Sequence, residues 1–213
     1  MSLLAVTGAL PPALLGAWVL ARLRFPGRGL LALALSLPLV LPPVVTGWLL
    51  LVVLGRNGPV GALLNRWLGI RLPFTTAGAA VACGTMVFPL LVRAARIAFE
   101  AADPGLEAAA RSLGAGRLDR LLTVTLPLAI PGVVAGIALA YATSLGEFGA
   151  VITFAASIPG QTQTLPLAIF NALQSPGGEA QAARLAVASL VLAMLGLGAA
   201  EAVGRRLNLM IGR

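Results

Sequence analysis

The sequence predicts an all-α integral membrane protein with about five membrane-spanning helices. The chain has 213 residues, of which 59% are hydrophobic and 10% are charged, whereas soluble domains hold about 25% charged residues. Its mean hydropathy is +0.96. The apolar residues fall into five runs close to the ~20 residues that a spanning helix needs, and arginines stand at the ends of these runs. We therefore expect one membrane domain over residues 1–213 and no soluble domain.

The first two runs are interrupted by proline. Pro11 and Pro12 are expected to kink the first run, since proline removes a helix hydrogen bond. The second run is broken near its centre by Pro38, Pro42 and Pro43. Broken backbone at membrane depth is tolerated only against protein or a water-filled cavity. The break therefore predicts that this run lines a path, with a plain packing kink as the alternative.

The remaining three runs are more regular. The third has Pro89 near its end, and the fourth carries small residues at every fourth position, Gly132, Gly136 and Ala140. Such a series permits close helix packing. The predicted spans are residues 3–21, 29–54, 74–92, 128–154 and 182–203.

Two polar segments lie outside the runs on the side opposite the long loop at 93–127. Residues 56–72 predict an interfacial helix and turn, and Trp48 and Trp67 suit the aromatic belt of a membrane interface. Residues 155–180 predict a loop that contains a short helix at 164–173.

The arginines predict which end of the bundle faces the cytoplasm. With the loop at 93–127 inside, eleven arginines lie inside and four outside, as the positive-inside rule requires. This places the N-terminus outside and the C-terminus in the cytoplasm. The net charge of +8 then needs no nucleic acid, because the arginines do not gather on one polar face. The inside set is Arg22, Arg24, Arg28, Arg93, Arg96, Arg111, Arg117, Arg120, Arg205, Arg206 and Arg213, and the outside set is Arg56, Arg66, Arg71 and Arg184.

The loop at 93–127 carries the start and stop signals of a short amphipathic helix. Asp103 predicts an N-cap, Pro104 suits the first helical position, and Gly114 can take the left-handed conformation that ends a helix. One face of this helix bears a stripe of small and smooth apolar side chains, which needs a closely packed partner. The stripe consists of Leu106, Ala109, Ala110 and Leu113.

This loop resembles the cytoplasmic loop of ABC importer permeases, whose pattern is Glu-Ala-Ala, three residues, Gly, nine residues and Ile-x-Leu-Pro. Gly114 matches the glycine, the Glu-Ala-Ala positions hold three alanines, and the acid stands one residue early at Glu107. The resemblance implies that ATPase subunits dock on this helix. The residues that it implies for coupling are Asp103, Glu107, Ala108, Ala109, Ala110, Leu113, Gly114, Leu126 and Pro127.

Two further segments are similar to molybdate permease subunits, and the likeness runs from about Arg22 onward. They are Leu37–Val45 and Leu145–Ala150, the latter followed by Ile158–Pro166. The resemblance implies an ATP-driven importer of molybdate or tungstate in a prokaryotic inner membrane. Its partners would be a second copy of this chain, two ATP-binding cassette subunits and an extracytoplasmic oxyanion-binding protein. Sulfate or thiosulfate permeases, similar around Gly146–Gly149, are the alternative within this class.

The composition argues against chemistry in the chain itself. The phosphate loop of an ATPase needs a lysine, and all fifteen basic residues are arginine. The absence of histidine removes a Ser/His/Asp triad and, with a single cysteine, the usual zinc ligand sets. We expect no catalytic residue, metal or cofactor here, with ATP and magnesium on the partner ATPase. A stand-alone secondary anion transporter is a candidate of another class, disfavoured by five spans without a visible repeat.

Polar residues within the apolar runs are candidates for a translocation path or gate. Glu147 is the one acid well inside an apolar run, where an ionisable group is costly and usually functional. Its alternative role is an ion pair with Arg71 or Arg184, and an acid is a poor ligand for an anion. Hydroxyls and helix N-termini freed by prolines would meet the oxyanion, unless the hydroxyls bond their own backbone. The path or gate candidates are Pro42, Pro43, Thr46, Thr143, Ser144 and Glu147.

The polar turn at Gln161–Thr164 has two interpretations. It either meets the external binding protein or is simply a solvated turn.

Overall fold

A computed structural model describes residues 1–101 and 104–211, with side chains except at 104, 107, 117, 200 and 207–211. Every regular element in these residues is helical, which agrees with the predicted all-α fold. The elements are α1 Ser2–Arg22, α2 Arg28–Val40, α3 Pro43–Leu54, α4 Pro59–Leu68, α5 Thr76–Glu100, α6 Pro104–Ser112, α7 Arg117–Arg120, a π-helical turn Leu121–Thr125, α8 Leu126–Leu145, α9 Gly149–Ala155, α10 Leu165–Leu173 and α11 Glu179–Ile211.

Four helical segments of the described chain are long and apolar enough to cross a membrane. They are Ser2–Arg22, Thr76–Glu100, Leu118–Leu145 and Glu179–Arg206. A fifth candidate is the pair α2 and α3, which is bent by 114°. α1 runs unbroken through Pro11 and Pro12, so the first run forms one helix of spanning length.

Helical structure reaches into both ends of the segment predicted as the polar loop, 93–127. α5 continues to Glu100, because residues 93–100 have helical propensity and Arg96 pairs with Glu100 at 2.8 Å across the last turn. From Arg117 onward the chain is helical again and leads without a break into α8. α6 is therefore the main element between the third and fourth spans.

Two predicted spans are interrupted. The second divides between Val40 and Pro43, as its prolines predict. The fourth, predicted as continuous over 128–154, ends at Leu145 and resumes at Gly149. The two short helices that follow these breaks, α3 and α9, pack against each other. Gly47 permits this contact, because a Cβ on it would stand 2.7 Å from the carbonyl oxygen of Ala150.

The core is built around α5, which packs against α1 and α8. Small residues set the distance between α5 and α8. A Cβ on Gly132 would stand 2.8 Å from the Cβ of Ala98, and one on Gly136 would overlap the Cβ of Ala94. The small-residue series predicted in the fourth run therefore does allow close packing.

We expect Gly136→Val to destabilise the bundle, because its side chain overlaps Ala94 and overpacking costs about 1–3 kcal/mol. The exposed neighbour Ala135→Val is the matched control. Heating the detergent-solubilised protein and measuring the monodisperse fraction by size exclusion checks this. Equal melting of the two variants would contradict the packing role of Gly136.

Candidate coupling site and translocation path

The end of α6 has the geometry that its glycine predicts. Gly114 has φ +87°, the left-handed conformation. The N–H of Ala115 donates to the carbonyl of Ala110 at 3.0 Å, which satisfies a carbonyl at the helix end. The prediction that Gly114 ends this helix is confirmed. Asp103 and the side chain of Glu107 lie outside the described residues, so the N-cap and the acidic contact stay predictions.

The apolar stripe of α6 is uncovered in the described chain. Leu113 is 88% exposed, and Leu106 is also exposed. Ala108 and Ala109 are exposed as well, whereas Ala110 is half-buried. A helix in this state can receive a partner on a smooth surface without first losing contacts of its own.

α6 connects to α8 through the π-helical turn, against which it packs. In this turn the N–H of Leu126 bonds the carbonyl of Leu121, five residues back. Pro127, which follows, has no N–H to donate to the carbonyl four residues before it. Leu126 and Pro127 thus begin α8 directly after this turn. Such π turns are frequent at functional sites.

Glu147 occupies the break between α8 and α9 and is 8% exposed. Its Oε1 accepts a hydrogen bond from the N–H of Ala150 at 2.9 Å, so the carboxylate caps the N-terminus of α9. Neither alternative ion pair is observed among the described residues, and Arg71 donates instead to Asn65 at 3.1 Å. Glu147 is therefore held by a half-helix rather than by an arginine.

The prolines and small residues of the two breaks meet at one place, the α3–α9 crossing. Pro42 precedes α3 in an extended conformation, and Pro43 is its first residue. Gly149 lies against Pro43, since a Cβ on it would stand 2.7 Å from the proline Cβ. Pro43 and Glu147 lie far apart in the sequence, and the contact between Gly149 and Pro43 brings the two breaks together.

Three candidate hydroxyls behave differently. Thr143 is exposed and donates to the carbonyl of Leu139 at 2.8 Å, which is the backbone alternative stated above. Thr46 and Ser144 are 4% and 2% exposed, and neither hydroxyl has a hydrogen-bond partner within the described chain. Ser144 lies beside the thiol of Cys83, which is a weak partner. Buried hydroxyls without a strong acceptor are uncommon, and they are candidates for donating to a ligand.

Thr164 is a polar residue that the sequence reasoning missed at this site. Its buried hydroxyl also has no hydrogen-bond partner within the described chain. Thr164 and Ser144 line one cavity of about 200 Å³ beside Leu165, at the N-terminus of α10. Its position just before Leu165 and Pro166 was the available signal, because it is a helix N-cap position.

The turn at Gln161–Thr164 is ordered. Thr162 is fully buried, and its hydroxyl donates to Ala156 and accepts from the N–H of Ile158, both at 3.0 Å. The carbonyl of Gln161 accepts from the hydroxyl of Thr76 at 2.9 Å. The side chain of Gln161 remains exposed, so both interpretations of this turn stay open.

A bundle with four helices of spanning length, two broken runs and an uncovered short helix at one end places the described chain in the class of α-helical integral membrane proteins. Residues 13–209 match the family described as binding-protein-dependent transport system inner membrane component, and the chain belongs to this family. It is therefore a multi-pass protein of the inner membrane, with the all-α fold of a type I ABC importer permease.

The chain is similar to curated permeases. It is 52% identical over 205 residues to the molybdenum transport system permease protein ModB of Escherichia coli (strain K12), covering 96% of this chain and 90% of that one. It is 46% identical over 205 residues to ModB of Haemophilus influenzae, with the same coverage. It is 41% identical over 182 residues to the sulfate transport system permease protein CysT of Salmonella typhimurium, covering 84% of this chain and 65% of that one.

A solved structure supports the fold. A chain from a bacterial ABC transporter involved in the import of the acidic polysaccharide alginate superposes with a TM-score of 0.66 and 19% identity. The match covers 96% of this chain and 75% of that chain. The predicted permease fold is confirmed.

Proposed function

We propose that this chain is the permease subunit of an ATP-driven importer of molybdate or tungstate. The observation that carries the proposal is the 52% identity to a molybdenum permease across 96% of the chain. A sulfate permease is the second candidate, favoured by 41% identity over 84% of the chain. The proposed assembly contains two copies of this chain, two ATP-binding cassette subunits and an extracytoplasmic oxyanion-binding protein. ATP and magnesium are held by the cassette subunits.

The uncovered stripe of α6 is the proposed docking surface for the cassette subunit. ATP binding closes the cassettes and draws the two α6 helices together. The π-helical turn, which packs on α6 and runs directly into α8, passes this motion to the bundle. The nucleotide thereby biases a bundle with two conformations, because it binds one of them better.

The oxyanion path is proposed to lie between the two copies and to use uncharged donors. The buried hydroxyls of Thr46 and Ser144 can donate to an oxyanion without trapping it. Glu147 is assigned to the gate rather than to substrate binding, because its negative charge repels a dianion. Its carboxylate already fills the N-terminus of α9, which would otherwise attract an anion.

The cytoplasmic side is assigned to the end of the bundle where α1, α2 and α5 are joined by arginines. Arg28 lies 3.5 Å from Glu100, and Arg22 donates to the carbonyl of Phe99 at 3.0 Å. Arg111 and Arg120 lie at the same end beside Arg22. This accumulation supports an external N-terminus and a cytoplasmic C-terminus.

Uptake by proteoliposomes tests the function. The permease is reconstituted with its cassette subunit and binding protein, and entry of radioactive molybdate is measured with ATP inside. We expect ATP-dependent uptake that excess tungstate abolishes and excess sulfate leaves nearly unchanged. Uptake without ATP would overturn the importer assignment, and inhibition by sulfate equal to that by tungstate would favour the sulfate candidate.

A further inference from the structure

Two adjoining cavities at the arginine-rich end of the bundle have no role in the transport cycle described above. The first, here called the arginine pocket, measures about 420 Å³ and is lined by Arg22, Arg111, Arg120 and Thr125 among others. The second, here called the leucine groove, measures about 440 Å³ and is lined by Leu14, Leu15, Leu118 and Leu122 among others. Trp18 and Leu121 belong to both.

The arginine pocket gathers cations from three elements. Arg22 ends α1, Arg111 lies in the last turn of α6, and Arg120 ends α7. Arg120 uses its Nε on the carbonyl of Gly116 at 3.3 Å, which leaves the two terminal nitrogens of its guanidinium. Of the two described carboxylates at this end, Glu100 pairs with Arg28 and Arg96, and Asp119 is exposed on α7. Arg22 also donates to the carbonyl of Phe99. Guanidinium groups in this arrangement fit a phosphate, which they bind in a bidentate manner.

The leucine groove is apolar, whereas the arginine pocket is cationic. Its lining side chains are nearly all apolar, and Leu15, Leu118 and Leu122 are exposed to the outside of the bundle. A groove of this kind between membrane helices fits a hydrocarbon chain. Trp18 at the junction suits the level of the lipid headgroups, where tryptophan accumulates.

We propose that the two cavities together bind one anionic phospholipid from the leaflet at this end of the bundle. The headgroup phosphate lies against Arg111, Arg120 and Arg22, and an acyl chain lies in the leucine groove. A free phosphate would match the arginines but leave the groove unfilled, whereas a phospholipid matches both charge and apolarity. Basic pockets between membrane helices are known to select anionic headgroups. This site is independent of which oxyanion the protein carries.

The arginines of the pocket belong to different helices, so a bound lipid would link these helices. Arg111 belongs to α6, and Arg22 belongs to α1, so one phosphate would join the proposed docking helix to the first span. An anionic lipid would therefore restrain α6 relative to the bundle.

Fluorescence of Trp18 tests the proposal directly. The chain has three tryptophans, and Trp48 and Trp67 are exposed away from the two cavities. The Trp48→Phe/Trp67→Phe protein leaves Trp18 as the reporter. It is placed in phosphatidylcholine nanodiscs with increasing amounts of phosphatidylglycerol or phosphatidylcholine brominated on the acyl chain, which quenches a tryptophan in contact.

We expect half-maximal quenching at a mole fraction about tenfold lower for brominated phosphatidylglycerol than for brominated phosphatidylcholine, because each arginine near the headgroup favours anionic lipid. In that background, Arg111→Gln/Arg120→Gln should remove the difference, and Arg111→Gln alone should reduce it. Arg205→Gln/Arg206→Gln, which removes two exposed charges from α11, should leave it intact.

Equal quenching by the two lipids would overturn the proposal, and so would a preference that survives Arg111→Gln/Arg120→Gln. Quenching by neither lipid would show that protein covers the groove and would also overturn it. Circular dichroism of each variant confirms that helical content is retained before the comparison.

Discussion

Gly114→Pro is expected to abolish association of the permease with its cassette subunit. Proline holds φ near −65°, whereas Gly114 has φ +87°. The substitution also removes the N–H that donates to the carbonyl of Arg111 at 3.0 Å. The end of α6 must therefore rearrange, and Leu113, at the end of the docking stripe, moves with it. A loss of about 1.4 kcal/mol in docking lowers affinity tenfold, and a misplaced helix end should cost more.

The measurement is co-purification of the cassette subunit with the tagged permease, together with stimulation of its ATPase activity. Gly116→Pro is the matched control in the same connection, because Gly116 has no positive φ and a Cβ on it would meet open space. We expect that control to retain the partner. If Gly114→Pro binds and stimulates the cassette subunit as well as the unchanged chain, α6 is not the docking helix.

The sequence was informative wherever structure depends on neighbouring residues. Gly114 could be assigned to the helix end because a left-handed glycine after an alanine-rich helix is a local signal. The prolines that divide the second span are local in the same sense. Spacing alone also identified Gly132 and Gly136 as packing positions, since residues four apart lie on one helix face.

The candidate site was harder to predict because it depends on contacts between distant segments. The position of Glu147 in an apolar run indicated that it matters, but not that it caps α9. The cavity shared by Ser144 and Thr164 exists because α8 ends near the start of α10. The π-helical turn before Pro127 could not be predicted either, because a proline at the start of an ordinary helix has the same sequence signature.

Substitution of Glu147 is the second change with a large expected effect, because this residue occupies the break between α8 and α9, which the sequence did not predict. Its carboxylate accepts from the N–H of Ala150 at 2.9 Å and brings negative charge to the N-terminus of α9. Glu147→Ala leaves that N–H without its acceptor, and loss of such a cap costs about 0.5–2 kcal/mol. We expect Glu147→Ala to weaken the α3–α9 crossing and lower the yield of folded protein.

Glu147→Gln separates the cap from the charge. The amide oxygen can still accept from Ala150, so we expect normal assembly with the cassette subunit. Without the negative charge the gate loses its repulsion of the oxyanion, so we expect ATP-dependent molybdate uptake to fall at least about tenfold, the rate change that about 1.4 kcal/mol produces. Glu201→Gln on α11 is the control, since Glu201 is exposed and pairs only with Arg205 at 3.0 Å within its own helix. Unchanged uptake and assembly in Glu147→Gln would show that the carboxylate acts through its oxygen alone, and the gate would have to be assigned to other residues.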